Sequence, residues 1–352
     1  MMTTLDPLRA SRRRGDVAAN FVIRAAVAAP SVQNSQPWHF SSHPGAIRLH
    51  ADPRRGLPQA DPAGREMVIS CGAALFNIRL AMRHLGFAAG VTLLPDPSCP
   101  DLLAEIRWGW RAPPTPEEES LYRAIMRRHT HRGPFAVEAP PPLISDLIRV
   151  ARQEQAELHV IYDASRHHPL ADLIQAAELV QRSSPPFAAE RVRWARPPGD
   201  RRRDGVPVTA CWRQPDGPEF AARGFERGAT GWWYPAHPQQ DRPQALGVVA
   251  ILATRDDRRL GWLLAGQALQ RLLLHAAAGG VSVAFHTQPL ELPGTRARIR
   301  TEFTGGAYPQ MLLRLGCGGR AGATLRRPVA DTLAGSLTAP GSLRRAVGYA
   351  SR

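Results

Sequence analysis

The stretch Ala29-Pro30-Ser31-Val32-Gln33-Asn34-Ser35-Gln36-Pro37-Trp38 decides how the rest of the chain is interpreted. It follows an alanine-rich segment, residues 17–28, that favours a helix. Pro30 ends that helix because proline lacks a backbone donor and disfavours helical geometry in the residue before it. Ser, Asn and Gln then give a short loop many hydrogen-bond donors and acceptors, which suits a planar heterocycle rich in carbonyls and ring nitrogens. The same side chains could equally form a turn held by local hydrogen bonds.

Length and composition indicate a protein with a sizeable core. The chain has 352 residues, enough for two domains, and 43% of them are hydrophobic. No apolar run approaches the roughly 18–20 residues that a membrane span needs. The apolar segment after Arg12-Arg13-Arg14 contains Asp16, Asn20 and Arg24, which makes it a poor secretion signal. We therefore expect a cytoplasmic protein with no membrane partner.

The net charge of +15 raises the question of nucleic-acid binding. All 45 basic residues are Arg, however, and they are spread along the whole chain. Because clustered charge is the usual mark of nucleic-acid contact, we expect no nucleic-acid partner, whereas phosphates and other small anions fit the composition. The four cysteines form no C-x-x-C pair and the histidines lack metal-ligand spacing, which indicates reduced thiols and no metal site.

Two segments, residues 65–85 and 260–278, are apolar around nearly the whole helical circumference, so we expect both helices to be buried. Their sequences match at a constant offset: Gly72, Ala74, Leu75, Leu80 and Gly86 correspond to Gly266, Ala268, Leu269, Leu274 and Gly280. Five matches between helices rich in Ala and Leu could arise by chance. The pattern nonetheless suggests an internal duplication, with two halves related by a pseudo-twofold axis.

A cationic segment, Arg127-Arg128-His129-Thr130-His131-Arg132, closes the helix that begins at the capping box Thr115-Pro116-Glu117-Glu118. Guanidinium groups suit a phosphate because they can bind two of its oxygens at once. Cations are also favourable at a helix C-terminus, where they would simply be solvated. The charges alone favour the solvated helix end.

The loop at Pro30 resembles the flavin-binding loop of the nitroreductase superfamily, whose members carry the pattern Pro-Ser-x-x-Asn-x-Gln-Pro-Trp. Arg128, Thr130 and Arg132 are similar to the Arg-x-Ser/Thr-x-Arg/Lys stretch of that family, and Arg326-Arg327 resembles its C-terminal Arg segment. The resemblance is strongest to the two-domain, Acg-like branch. It implies an α+β, nitroreductase-like fold with two pseudo-symmetric halves, central buried helices and mixed or antiparallel sheets.

We place the first nitroreductase-like half, with the flavin loop, at residues 17–112, and the second, with the phosphate-binding Arg segments, at residues 115–330. Residues 183–243 are rich in Pro, Gly and Arg and include several Trp residues. A connection of this length is usually functional, so we interpret it as an inserted lid over the site. The alternative is an arm that only packs the two halves together.

The resemblance implies one FMN per chain, because the loop lies only in the first half and the Arg segments only in the second. The predicted cofactor-binding residues are Pro30, Ser31, Val32, Asn34, Arg128, Thr130, Arg132, His286, Thr287, Arg326 and Arg327. His286 and Thr287 follow a predicted strand and could approach the pyrimidine side of the ring, although a strand-end histidine bonded within the protein is the simpler interpretation. No catalytic acid or base is assigned, because the cofactor supplies the chemistry.

The implied function is that of an FMN-dependent NAD(P)H oxidoreductase that reduces nitroaromatic- or quinone-like acceptors by hydride transfer through flavin. A first alternative is a stress protein whose lid sequesters flavin without turnover, which Trp232-Trp233-Tyr234 filling the nicotinamide space would favour. A second is a basic interaction protein without a cofactor. The expected partner is a small-molecule electron acceptor, and the chain is either a monomer that mimics a homodimer or part of a dimer of such chains.

Overall fold

The computed structural model describes residues 7–43, 45–133, 135–208, 220, 245–318 and 323–333, with side chains from residue 17 onward. The helices are α1 (Pro7–Ala26), α2 (Arg65–His84), α3 (Pro116–Ala124), α4 (Pro141–Gln153), α5 (His167–Ser183), α6 (Pro185–Trp194), α7 (Arg259–Ala278) and α8 (Pro293–Phe303). The strands are β1 (Trp38–His43), β2 (Ala46–Ala51), β3 (Phe87–Leu93), β4 (Leu102–Arg111), β5 (Val137–Glu138), β6 (Glu157–Ile161), β7 (Ala195–Arg196), β8 (Val206–Pro207), β9 (Val248–Thr254), β10 (Ser282–Phe285) and β11 (Tyr308–Cys317). The predicted α+β class is therefore confirmed.

Two antiparallel sheets share one topology. The first has the strand order β1-β2-β4-β3, and the second has β6-β9-β11-β10 with the short β5 beside β11. If the short β5 is set aside, each sheet has two strands that precede a long buried helix, α2 or α7, in the chain and two strands that follow it. Because the order matches strand for strand, the topology supports the internal duplication.

The two buried helices α2 and α7 cross at the glycines that the sequence comparison matched. A Cβ atom added to Gly72 would overlap the backbone oxygen of Leu263 and lie 2.9 Å from the Gly266 Cα atom. One added to Gly266 would overlap the backbone oxygen of Ile69 and lie 2.8 Å from the Gly72 Cα atom. These contacts are reciprocal, which places the pseudo-twofold axis at the crossing.

The cores of the two halves are not separate. Leu263 and Leu274 of α7 lie in the core cluster of the first sheet, and Ile69 of α2 lies in that of the second. Helix α3, which we assigned to the second half, buries Leu121 and Ala124 in the first cluster. Hydrophobic burial therefore joins the halves, and the boundary at residues 112–115 stays a prediction.

The proposed lid is described only in part. Its first segment forms α6 and the short parallel pair β7–β8. Beyond residue 208 the only described residue of the lid is Phe220, which is 1% exposed. The aromatic residues Trp212, Trp232, Trp233 and Tyr234 lie outside the described residues. Across the described part of the chain, no helix is long and apolar enough to cross a membrane.

Candidate functional site

One cavity brings together residues from both halves. Its volume is about 140 Å³, roughly ten times the space that one water molecule requires. The loop Pro30–Asn34 and the start of α2 contribute one wall, and residues of the second half contribute the other. The further lining residues are Glu66, Ile69, Ser70, Thr130, His131, Arg132, Gly133, Val206, Leu269, Ala284, Phe285, His286, Thr287, Met311, Arg314, Thr324 and Arg326.

Most of the predicted cofactor-binding residues line this cavity. They are Pro30, Ser31, Val32, Asn34, Thr130, Arg132, His286, Thr287 and Arg326. Two are not among its lining residues. Arg128 is 5% exposed and lies behind the wall. Arg327 donates from its backbone N to Gln36 Oε1 over 2.8 Å and from its guanidinium group to the backbone oxygens of Gln36 and Asp331, and its contact with the cofactor stays a prediction. Arg327 thus fastens the C-terminal segment to the loop.

The loop adopts a conformation that most residues avoid. Gln33, Asn34 and Gln36 have φ angles of 47°, 53° and 51°, in the left-handed region. Two hydrogen bonds hold this shape: Gln36 N donates to Ser31 Oγ over 2.9 Å, and Val32 N donates to Ser70 Oγ over 3.3 Å. Backbone strain that the surroundings maintain in this way is typical of binding sites.

The amide of Asn34 serves as a clamp between distant segments. Asn34 Nδ2 donates to the backbone oxygen of Gly205 over 2.8 Å and to that of Leu325 over 3.2 Å. Asn34 Oδ1 accepts a hydrogen bond of 2.9 Å from Arg326 Nη1. We predicted that Asn34 contacts the flavin, and this stays a prediction because Asn34 also lines the cavity. The structure adds that its side chain holds Gly205, in the segment proposed as a lid, and the C-terminal segment against the loop. Nothing in the local sequence indicates partners so far along the chain.

Three guanidinium groups approach one another at one end of the cavity. The pKa of Arg128 falls to about 9, chiefly through burial and then through the charges of Arg326 and Arg132. The pKa of Arg326 falls to about 10 through burial and then through Arg132. No carboxylate is among the groups that shift either pKa. Because positive charges gather here, and no carboxylate among the described residues acts on Arg128 or Arg326, the cluster is suited to an anion.

The hydrogen-bond donors of Arg128 support the same conclusion. Its Nη2 donates to the backbone oxygen of Ala28 over 3.4 Å. Within the described residues, Arg128 Nε, Arg128 Nη1 and Arg326 Nε are buried without a hydrogen-bond partner. Helix α3 ends at Ala124, so Arg128 does not lie in the last turn of that helix. The simpler interpretation, cations solvated at a helix end, therefore does not fit a side chain buried in this way.

Part of the cavity lining is apolar. Ile69 from α2, Leu269 from α7 and Met311 from β11 line it and are nearly buried. Ile69 and Leu269 belong to the two buried helices, so the floor of the site is built by the pseudo-symmetric pair itself. Apolar surfaces beside a few fixed polar groups are typical of cofactor sites and suit a flat ring.

Arg314 is a site residue that sequence reasoning missed. It lies on β11, is 2% exposed and donates from Nε to His286 Nε2 over 3.0 Å. A signal was present, because Arg314 is the single charged residue of β11 and its nearest neighbours in the strand are apolar. A charged residue is rarely fully buried unless it is paired.

Comparison with known proteins extends these observations. No family model matches the chain. A Mycobacterium tuberculosis protein named "Putative NAD(P)H nitroreductase Rv3131" is 32% identical over 300 residues, 84% of this chain and 83% of that protein. The "Uncharacterized protein Rv3127" of the same organism is 30% identical over 320 residues, covering 87% and 89%. The Acg protein of that organism, also named as an NAD(P)H nitroreductase, is 28% identical over 316 residues, covering 87% and 92%.

A solved structure agrees with the fold. The crystal structure of a nitroreductase-type protein from Anabaena variabilis aligns with a TM-score of 0.51 at 11% identity, covering 90% of each chain. Fold, cavity and full-length relatives together show that the chain belongs to the nitroreductase superfamily. Within that superfamily it belongs to the Acg-like branch.

Proposed function

We propose that this protein is an FMN-dependent NAD(P)H oxidoreductase of the nitroreductase type. The observation that carries the proposal is the cluster of Arg128, Arg132 and Arg326 beside a partly apolar cavity, in which Arg128 and Arg326 have buried donors without a partner among the described residues. FMN combines a phosphate monoester with a flat ring, so it offers an anion to the arginines and an apolar surface to the rest of the lining. When bound, FMN supplies the two-electron chemistry that protein side chains lack.

The residues of the cavity divide into two roles under this proposal. Arg128, Arg132 and Arg326 would hold the phosphate through charge-assisted hydrogen bonds, with Thr130 between two of them in the chain. The loop at Ser31 and the apolar side chains of Ile69 and Leu269 would enclose the ring and exclude water from it. The names of the relatives support NAD(P)H as the electron donor. A nitroaromatic- or quinone-like acceptor, one FMN per chain and a cytoplasmic location stay predictions.

An anaerobic absorbance experiment tests the proposal. The purified protein should show a bound-flavin spectrum that bleaches within seconds when NADPH or NADH is added. A colourless protein that takes up no added FMN would overturn the proposal and favour an interaction protein without a cofactor. Dithionite serves as the control, because it reduces accessible flavin without needing a nicotinamide site.

The position of Phe220 favours the alternative that the protein sequesters flavin, and the same experiment tests this alternative. Phe220 belongs to the lid and packs against two residues of the cavity wall, at 5.7 Å from the His286 ring and 5.5 Å from the Arg314 guanidinium carbon. This contact supports the proposal that the segment covers the site. A yellow protein that dithionite bleaches and neither nicotinamide cofactor bleaches would favour sequestration over turnover.

A further inference from the structure

Asn34 and Arg326 form a hydrogen-bonded pair between the loop and the C-terminal segment, and both residues line the cavity. Asn34 Oδ1 accepts a hydrogen bond of 2.9 Å from Arg326 Nη1. Asn34 Nδ2 donates to the backbone oxygen of Leu325 over 3.2 Å and to that of Gly205 over 2.8 Å. The amide therefore binds the arginine and the residue before it at the same time.

These partners fix the orientation of the Asn34 amide. Its oxygen only accepts hydrogen bonds, and its nitrogen only donates them. A flipped amide would turn its donors towards a guanidinium group and its oxygen towards two carbonyl oxygens, so all three hydrogen bonds would be lost. The backbone is held as well, because Gly205 N donates to the Asn34 backbone oxygen over 3.1 Å. Asn34 thus offers Arg326 an acceptor in a fixed place.

All hydrogen bonds that Arg326 donates to the described residues come from one nitrogen of its guanidinium group. Nη1 lies within 3.3 Å of four oxygens, which belong to Asn34, Thr324 and Leu325. Nε is buried without a partner among these residues. Because Thr324 and Leu325 belong to the same segment as Arg326, the contact with Asn34 is the one that fixes the arginine relative to the loop.

This arrangement leaves one edge of the guanidinium group for a ligand. The group is planar, and the N–H groups of Nε and Nη2 point the same way, so this edge can bind two oxygens of one phosphate. The edge that includes Nη1 is already bound to Asn34 and Thr324. Turning Nη1 towards an anion would break the hydrogen bond with Asn34.

We propose that Asn34 is a positioning residue, which holds Nη1 of Arg326 and thereby presents the Nε–Nη2 edge of that arginine to a phosphate monoester. The inference rests on the proposed function, in which the phosphate belongs to FMN. Asn34 acts on the phosphate through Arg326, whether or not it also contacts the flavin ring. A ligand that has the same ring and no phosphate should therefore be insensitive to this role.

A comparison of FMN with riboflavin tests the proposal, because riboflavin carries the same ring without the phosphate. Asn34→Gly removes the amide and still permits the left-handed backbone of this position, where φ is 53°. In fluorescence titrations, we expect the affinity of this variant for FMN to fall about tenfold and its affinity for riboflavin to stay unchanged. An equal loss for the two ligands, or no loss for either, would overturn the proposal.

Gln36→Gly is the matched control, because Gln36 binds the same two segments. Its Nε2 donates to the backbone oxygen of Arg203 over 2.8 Å, and its Oε1 accepts from Arg327 N over 2.8 Å. Its φ is 51°, which glycine also permits. Among the described residues no hydrogen bond joins Gln36 to Arg326, so this variant should change both affinities by the same factor. A selective loss of FMN affinity in the control would assign the effect to loosening of the segments and refute the specific role of Asn34.

A double-mutant cycle asks whether Asn34 acts through Arg326. Arg326→Met removes the guanidinium group and should reduce the ratio of FMN affinity to riboflavin affinity at least as much as Asn34→Gly does. Adding Asn34→Gly to Arg326→Met should then leave this ratio unchanged, because the positioned group is already absent. Additive losses would show that the two residues act independently, which contradicts the proposal.

The inference and the proposed function can fail separately. A wild-type protein that binds neither FMN nor riboflavin refutes the proposed function, and inorganic phosphate then tests the pair. Phosphate should raise the Tm of the wild type and of Gln36→Gly by more than that of Asn34→Gly, since only a bound anion stabilises the folded state. Equal shifts in the two variants, or no shift in the wild type, would refute the inference about Asn34. Flavin binding with equal losses for FMN and riboflavin refutes that inference alone.

Discussion

At the scale of single residues, we expect the buried guanidinium group of Arg128 to lower the free energy of unfolding of the free protein. Arg128 is 5% exposed, and its pKa is lowered by burial and by two neighbouring arginines. Donors that are buried without a partner cost about 1–3 kcal/mol in the free protein. An anion that binds there recovers this cost, so the residue should oppose folding and favour binding.

We therefore expect Arg128→Met to separate stability from affinity. Without FMN or phosphate, its free energy of unfolding in urea should exceed that of the wild type by about 1–3 kcal/mol. Its affinity for FMN should fall at least about tenfold, because charge-assisted hydrogen bonds are lost. Fluorescence titration with FMN measures the second quantity.

Arg127→Met is the matched control, since Arg127 is adjacent in the chain and exposed. Its stability should stay within about 0.5 kcal/mol of the wild type, as is usual for surface substitutions. A destabilised Arg128→Met variant with unchanged FMN affinity would mean that the arginine cluster is structural.

Most of the residues predicted from the sequence do line the cavity, because the Pro-Ser-x-x-Asn-x-Gln-Pro-Trp pattern and the Arg segments are local. The sequence alone could not separate side chains that face the cavity from those that face the protein. Asn34 and Arg327 bond to segments that fold against the loop from far along the chain. Such contacts depend on how the halves dock, which no local pattern encodes.

At the scale of elements, the crossing of α2 and α7 is the tightest contact between the halves. Gly72 and Gly266 allow the two backbones to approach so closely that neither position has room for a Cβ atom. Helical glycine is ordinarily destabilising by about 1 kcal/mol relative to alanine. Glycine therefore occurs at Gly72 and Gly266 because the two helix backbones approach closely there. A larger residue at either position would force α2 and α7 apart.

We expect Gly72→Ala to lower the free energy of unfolding by about 1–3 kcal/mol, because overpacking a core forces backbone shifts. The control is Gly294→Ala in α8, where an added Cβ atom would meet nothing within 4 Å. That variant should be unchanged or up to about 1 kcal/mol more stable. Urea unfolding measures the free energy of unfolding of both variants. A similar change in the two variants would contradict the tight crossing.

The hairpin β1–β2 carries a cross-strand histidine pair that responds to pH. His39 and His50 are register partners with ring centres 4.7 Å apart. The pKa of His50 is lowered from 6.5 to about 4, first by burial and then by the charges of His39 and Arg48. Burial also lowers the pKa of His39. The folded protein therefore binds these protons less tightly than the unfolded chain does.

This difference fixes the sign of a pH dependence. The contribution of His50 to stability is complete above its ordinary pKa of 6.5 and is lost as the pH falls towards about 4. The free energy of unfolding should fall less steeply over this range in His50→Gln than in the wild type. Parallel pH profiles for the two proteins would show that His50 titrates normally in the fold.

Elements were predicted well where hydrophobic periodicity was strong. The buried helices and the apolar strand at residues 246–254 appear as α2, α7 and β9, with ends shifted by a few residues. The helix predicted at residues 17–28 begins earlier in the structure, at Pro7, so that α1 includes Arg12. Helix α3 ends earlier than expected, at Ala124, because the following residues turn to reach β10, where His131 N donates to the Val283 oxygen over 2.9 Å.

At the scale of the whole molecule, two halves of the same topology build one arginine cluster within the described residues. The loop at Ser31 comes from the first half, and Arg132 and Arg326 come from the second. The equivalent place on the other side of the axis would need a second loop and a second set of arginines, and we find neither pattern elsewhere in the sequence. This asymmetry predicts one site per chain.

We expect one FMN per 352-residue chain at saturation. Flavin released by heat and measured by absorbance, divided by protein from amino-acid analysis, should give a ratio near one. Size-exclusion chromatography with light scattering shows whether that chain is a monomer or part of a dimer. A ratio near two would mean that the second half binds flavin without the loop.

The shared strand order of the two sheets also has a consequence for how this protein can evolve. In a symmetric pair of identical subunits, any substitution appears on both sides of the axis at once. A fused pair escapes this constraint, because each half is encoded by its own stretch of gene. In the first half, β1 and β2 are joined directly as a hairpin. In the second half, the corresponding strands β6 and β9 are separated by α5, α6 and the segment containing Phe220. The second half was thus free to gain the segment proposed as a lid while the first half kept the cofactor loop. In a symmetric dimer of identical subunits, both changes would appear in both subunits.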